Sequence, residues 1–133
     1  MIEASRAAPL VAIVNNDAAF VRLLETLLHA EGYATLLQQI GDIAYESIKQ
    51  QQPQVVILDI GTEIPHESWR VVDLLRLDPA TTAMPVIVCA VADQALRERL
   101  PKLHAAGYAV LEKPFALAEL LDKVRTFLSP PTG

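Results

Sequence analysis

The chain has one cysteine, no apolar stretch long enough to cross a bilayer, no excess of basic charge and no glycine-rich loop. Each shortage closes a class. With Cys89 alone there is no internal disulfide, and its place inside "VIVCAV" makes it a small core hydrophobe. No apolar run approaches the ~18 residues of a spanning helix. The opening "MIEASRAAP" lacks the basic-then-apolar form of a secretory signal. A cytoplasmic domain with no membrane role is therefore expected. A net charge of −5 supplies no basic patch to displace phosphate counterions, so nucleic-acid binding by this domain is not expected either. A flavin- or nucleotide-binding enzyme would need a Gly-, Ser- or Thr-rich phosphate cradle after the first apolar run, and "NNDAAF" has none. His29, His66 and His104 lack metal-ligand spacing and read as surface or partly packed residues.

What is present is a strongly apolar chain, 52% hydrophobic and 20% charged, which rules out a disordered one. Its 133 residues make one domain, 1–133, with a core from about 9 to 128 and "SPPTG" at 129–133 as a tail or the start of a linker toward an output domain. Five apolar, β-branched runs read as strands: Leu10 to Val14, Tyr33 to Leu37, Val55 to Asp59, Val86 to Val91 and Tyr108 to Glu112. Helical stripes fill the gaps. Val21, Leu24, Leu27 and Leu28 mark the first helix, closed by Gly32; Ile43 to Gln51 form the second, stopped before Pro53. Trp69 opens the third, with Val72, Leu75 and Leu77 behind it; Leu96, Leu100 and Leu103 mark the fourth; Leu117, Leu120, Leu121, Val124 and Leu128 mark the fifth. Pro101 costs about 3 kcal/mol inside a helix, so the fourth is expected to kink or restart there.

Strand–helix alternation five times over implies an α/β, doubly wound parallel sheet with helices on both faces; the flavodoxin-like order 2-1-3-4-5 leads. Chemistry in such sheets sits beyond the carboxyl ends of the strands. There the first strand delivers Asn15, Asn16 and Asp17, the third Asp59, and the fifth Glu112 and Lys113 before Pro114. An acid ending an apolar strand, with a lysine in reach, makes a nucleophile and counter-ion pair. Singly, each position has a plainer use. Asp17 before "AAFVRLLETLL" suits a helix N-cap, and Lys113 suits a solvated loop.

At these residues the chain resembles the receiver domains of bacterial response regulators. "IVNNDAAFVRLLETLLHAEGY" is similar to their opening, "QPQVVILDI" to the segment of the phospho-accepting aspartate, and "GYAVLEKPF" to their lysine–proline turn. The resemblance implies that Asp59 is the phosphoryl acceptor, Lys113 the cation beside it, and a histidine kinase or other signalling protein the partner. It also implies a magnesium site at the positions of Asn15, Asn16, Asp59 and the carbonyl of Gly61, with Asp17 as a spare carboxylate. Two of those acids are amides here, which takes the local charge from about −3 to about −1, so magnesium is expected to bind weakly at best. Ala90 stands where the family has a hydroxyl that bonds the phosphoryl group, and Val110 where it has a mobile aromatic ring. Cys89 cannot replace that hydroxyl, because adjacent strand residues face opposite ways. Tyr108 is two residues early, and the loop "IGTEIPHESW" lacks the family's Gly-Asp-Gly turn.

Two readings follow. In one, the fold persists as a pseudo-receiver, a non-enzymatic interaction module in which the amides of Asn15 and Asn16 bond Asp59, Lys113 pairs with it, and no cofactor is needed. In the other, Asp59 still accepts a phosphoryl group from a histidine kinase. A partner or homodimer face is expected on the fourth helix, fifth strand and fifth helix.

Overall fold

Alternate residues of each central strand go to opposite sides, and both sides are apolar. Val11 and Ile13 face one way with Val55, Ile57, Ile87 and Cys89. Ala12 and Val14 face the other with Val56, Leu58, Val86, Val88 and Ala90. A sheet buried on both faces is what near-continuous apolar runs require. The computed structural model describes residues 8–129 and bears this out. The elements run β1 (Leu10–Val14), α1 (Ala18–Ala30), β2 (Ala34–Gln38), α2 (Asp42–Gln51), β3 (Val55–Asp59), α3 (Pro65–Leu77), β4 (Val86–Val91), α4 (Gln94–Ala105), β5 (Ala109–Lys113) and α5 (Leu117–Leu128). All neighbouring strands are parallel, in the expected order β2-β1-β3-β4-β5. Helices α1 and α5 cover one face through Leu24, Leu28, Leu120 and Val124. Helices α2, α3 and α4 cover the other through Ile48, Trp69, Leu75, Leu96 and Leu103. No helix among the described residues is long and apolar enough to cross a membrane. Residues 130–133 of the expected tail lie outside the described part.

Three local expectations need correction. Strands β2 and β5 each begin one residue later than their apolar runs. Tyr33 N–H donates to the Leu28 carbonyl and Tyr108 N–H to the Leu103 carbonyl, both at 3.0 Å. Each tyrosine thus completes a helix C-terminus whose reversal is made by a glycine at positive φ, Gly32 at 91° and Gly107 at 79°. Those amides close helices and cannot start ladders. Helix α3 starts at Pro65, a turn before Trp69, because proline is preorganised for the first helical position, where an N–H is not needed. Trp69 is buried within the helix. Helix α4 does not restart at Pro101 but continues through it from Gln94 to Ala105. Pro101 and Arg97, whose carbonyl loses its donor, are both exposed, so water can serve that oxygen.

The order reverses at β1, which has β2 on one side and β3 on the other. The crevice at such a switch point, outside the carboxyl ends, is where this architecture places ligands.

Candidate functional site

Strand β1 ends at Val14, and the next three residues are spoken for by backbone donors. Asn15 Oδ1 accepts the Asp17 N–H at 2.8 Å, an Asx turn that bends the chain toward α1. Asp17 Oδ1 accepts the N–H groups of Ala19 (3.1 Å) and Phe20 (3.2 Å), so Asp17 is the N-cap of α1. Asn16 Oδ1 accepts the Ile40 N–H at 2.7 Å, across 24 positions, from the loop between β2 and α2.

Strand β3 delivers Asp59, and the last residue of β5 reaches it. Lys113 Nζ lies 2.6 Å from Asp59 Oδ1 and donates to the Ile60 carbonyl at 3.0 Å. Both side chains are largely shielded, 17% exposed for Asp59 and 25% for Lys113, which strengthens the pair relative to one in open water. The Lys113–Pro114 peptide is cis. Beyond Asp59, Gly61 N–H donates to Ser68 Oγ at 3.0 Å, and Ser68 is fully buried at the start of α3.

Asn15, Asn16, Asp17, Asp59, Gly61 and Lys113 all line one cleft of about 750 Å³, so the residues expected at the strand ends do converge. The expected bonding inside it does not appear. Neither asparagine has a hydrogen bond to Asp59 among the described residues; their oxygens accept the backbone N–H groups of Asp17 and Ile40 instead. Asp59 is left to Lys113.

Ala90 and Val110 are not in the cleft lining. Ala90 is 1% exposed and packed in the core on the α2–α4 side, with Val110 against the same cluster. Tyr108 lies just before the other end of β5, its hydroxyl buried with no partner among the described residues and pushed up to about 12 by burial. It has no route to the cleft. Cys89 is both core and cleft: it is the register partner of Asp59 and lines the same cavity. Burial, and then the Asp59 charge, push its thiol up to about 12, so it keeps its proton and behaves as a small apolar wall.

Sequence reasoning missed Phe20, Ile40, Ile64 and Phe115, which add an apolar rim, and Ser68, which anchors Gly61 from outside the lining. Phe20 and Phe115 were findable by their nearness to Asp17 and Lys113. Ile40 was not, since nothing in a one-dimensional reading pairs it with Asn16.

A doubly wound sheet whose carboxyl edge gathers an acid, a lysine and a polar β1–α1 turn defines a class, that of receiver domains. The chain belongs to the response regulator receiver domain family, whose model matches residues 11–125. The response regulator MprA of Mycobacterium sp. (strain KMS) is 30% identical over 132 residues, covering 92% of this chain and 53% of that protein. The transcriptional regulatory protein PrrA of Mycobacterium tuberculosis (strain ATCC 25618 / H37Rv) is 29% identical over 120 residues, 90% of this chain and 50% of that one. The chain thus spans about half the length of the curated relatives it matches. Among solved structures, chemotaxis protein CheY4 of Vibrio cholerae superposes with a TM-score of 0.74 at 20% identity, covering 92% of this chain and 100% of that one. The receiver domain of the Pseudomonas aeruginosa sensor histidine kinase PA1611, which holds a magnesium ion in its active-site cleft, gives 0.68 at 22%, covering 91% and 98%. These likenesses carry the fold.

Proposed function

We propose that this receiver domain of two-component signalling works as a pseudo-receiver: a cytoplasmic, non-enzymatic module that acts by contact with a signalling protein and does not depend on magnesium-assisted phosphorylation. The observation that carries the reading is the state of the oxygens at the family's metal positions. Asn15 Oδ1 holds a turn, Asn16 Oδ1 holds a neighbouring loop, an Asp17 oxygen caps a helix, and an Asp59 oxygen holds Lys113. Each amide oxygen keeps one further lone pair but no charge, and the Nδ2 amino group beside it repels a cation. Magnesium favours carboxylate oxygens and sheds water reluctantly, so this donor set fits it poorly. The packed positions of Ala90 and Val110 support the same reading, because neither side chain can respond to a group placed on Asp59. Contact through the α4, β5 and α5 face, with a partner or a second copy, belongs to this proposal.

A second reading has its own support. Asp59 and Lys113 are paired and open to the cleft, as an acceptor served by a histidine kinase would be. Beryllium fluoride with millimolar magnesium separates the two. The pseudo-receiver is expected to leave the backbone resonances of Asp59, Ile60 and Lys113 in place. Saturable shifts at those residues would establish the acceptor and remove the pseudo-receiver.

A further inference from the structure

Around the cleft, three loops must be held together although they follow different strands. An ion at the positions that the family resemblance implies, between the β1–α1 loop, Asp59 and the Gly61 carbonyl of the β3–α3 loop, would do this. Here a side chain spans the gap. Asn16, in the β1–α1 loop, takes the Ile40 N–H of the β2–α2 loop at 2.7 Å. Ile40 in turn lies over the β3–α3 loop: its Cδ1 is 3.5 Å from where a Cβ on Gly61 would sit. Gly61 is fastened below by the buried Ser68 hydroxyl at 3.0 Å. Asn16, Ile40, Gly61 and Ser68 thus form a continuous line from the first loop to α3.

We propose that Asn16 is a positioning residue whose amide oxygen, by holding Ile40 over Gly61, ties the cleft's loops together in place of a divalent ion. This deepens the metal-free reading and rests on it. The amide suits the task better than an acid. Both offer an oxygen to Ile40, but the amide adds no charge to a cleft that already holds Asp59. Aspartate at 16 is therefore the informative substitution, since it keeps the tie and changes the charge, whereas alanine removes the tie.

Amide hydrogen exchange by NMR on the full chain, with chelator present, reads the tie directly. In Asn16→Ala, Ile40 exchange should speed up by about 3- to 10-fold, as expected for one net hydrogen bond, and Gly61 should follow. In Asn16→Asp both should stay near the unaltered rates. Ile57 and Leu58 in β3 serve as folding controls, and Asn16 is exposed, so its truncation leaves the core alone. A scalar coupling across the hydrogen bond, from Ile40 N to Asn16 Cγ in the unaltered protein, checks the same contact without mutation. Unchanged Ile40 exchange in Asn16→Ala, or no coupling, overturns the proposal. Magnesium added to the unaltered protein distinguishes the two failures. Shifts at Asp59 with Ile40 already protected in chelator defeat the pseudo-receiver and leave the tie. Ile40 protection that appears only with magnesium defeats the tie.

Discussion

Two lysine–carboxylate pairs sit at opposite ends of the sheet and differ in what remains of the acid. At the amino-terminal edge, Asp78 Oδ2 takes the Tyr45 hydroxyl and Lys49 Nζ (3.0 Å), while Oδ1 accepts the Ala80 N–H at 2.9 Å. The Tyr45 hydroxyl first, then the Ala80 N–H and Lys49, hold that carboxyl down at about 2. Its capacity is spent on joining α2 to the end of α3. At the carboxyl-terminal edge, Asp59 Oδ1 meets Lys113, and no partner for Oδ2 occurs among the described residues. The first acid is a fastener. The second faces a cavity with an oxygen to spare. An acid–lysine distance alone separates nothing; the count of satisfied lone pairs does.

The comparison breaks most visibly if the cleft is turned back into a metal site. Asp can keep the acceptor oxygen that each asparagine now gives to the backbone, while the Nδ2 amino group becomes a carboxylate oxygen. In Asn15→Asp/Asn16→Asp, magnesium affinity should rise by roughly tenfold or more, because the cation gains two charges at close range. Calorimetric titration of both proteins checks this. Equal affinity would mean that the amides are not what weakens the site.

Next in size is the fastener itself. Asp78→Ala removes the shared acceptor of the Tyr45 hydroxyl, the Lys49 ammonium and the Ala80 N–H; water can serve the exposed Lys49 and Ala80, so the loss falls chiefly on the half-buried Tyr45 and on the link between α2 and α3. Thermal melts should show a drop in Tm of roughly 3 °C or more. The acid also predicts a pH signature. Its folded-state value, about 2, lies below the ordinary 3.8, so its contribution is present above about 3.8 and is lost as pH falls toward 2. Asp78→Asn should flatten the part of the stability profile between those values. An unchanged acid limb would assign that limb to other carboxylates.

The same contrast explains what could be read from the chain. "VIVCAV" announced a strand covered on both sides because every residue in it is apolar, and register then put Cys89 beside Asp59. Asp59 and Lys113 were legible because each ends an apolar run at the same edge. The start of α3 was not, since Ile64 gives no side-chain cap and the proline that begins the helix reads equally well as a breaker. The partners of Asn15 and Asn16 were misjudged for a related reason. Periodicity says which face a side chain takes, but a short amide bonds whichever backbone donor is left over nearby, and Ile40 becomes a neighbour only once β2 is laid beside β1.

The smallest effect on stability is expected at the acid that keeps an oxygen to spare. Asp59→Asn keeps the shape of the side chain and an oxygen for Lys113, and Lys113 retains the Ile60 carbonyl. Lys113 thus keeps two oxygen acceptors and its contact with water, which offsets much of the lost attraction, so Tm should move by no more than about 2 °C in either direction. Under the pseudo-receiver, partner binding should survive the change as well, since nothing is transferred to Asp59. A large loss of stability would make Asp59 a fastener like Asp78. A loss of partner binding at unchanged Tm would place the carboxylate itself in signalling and favour the acceptor reading of the cleft.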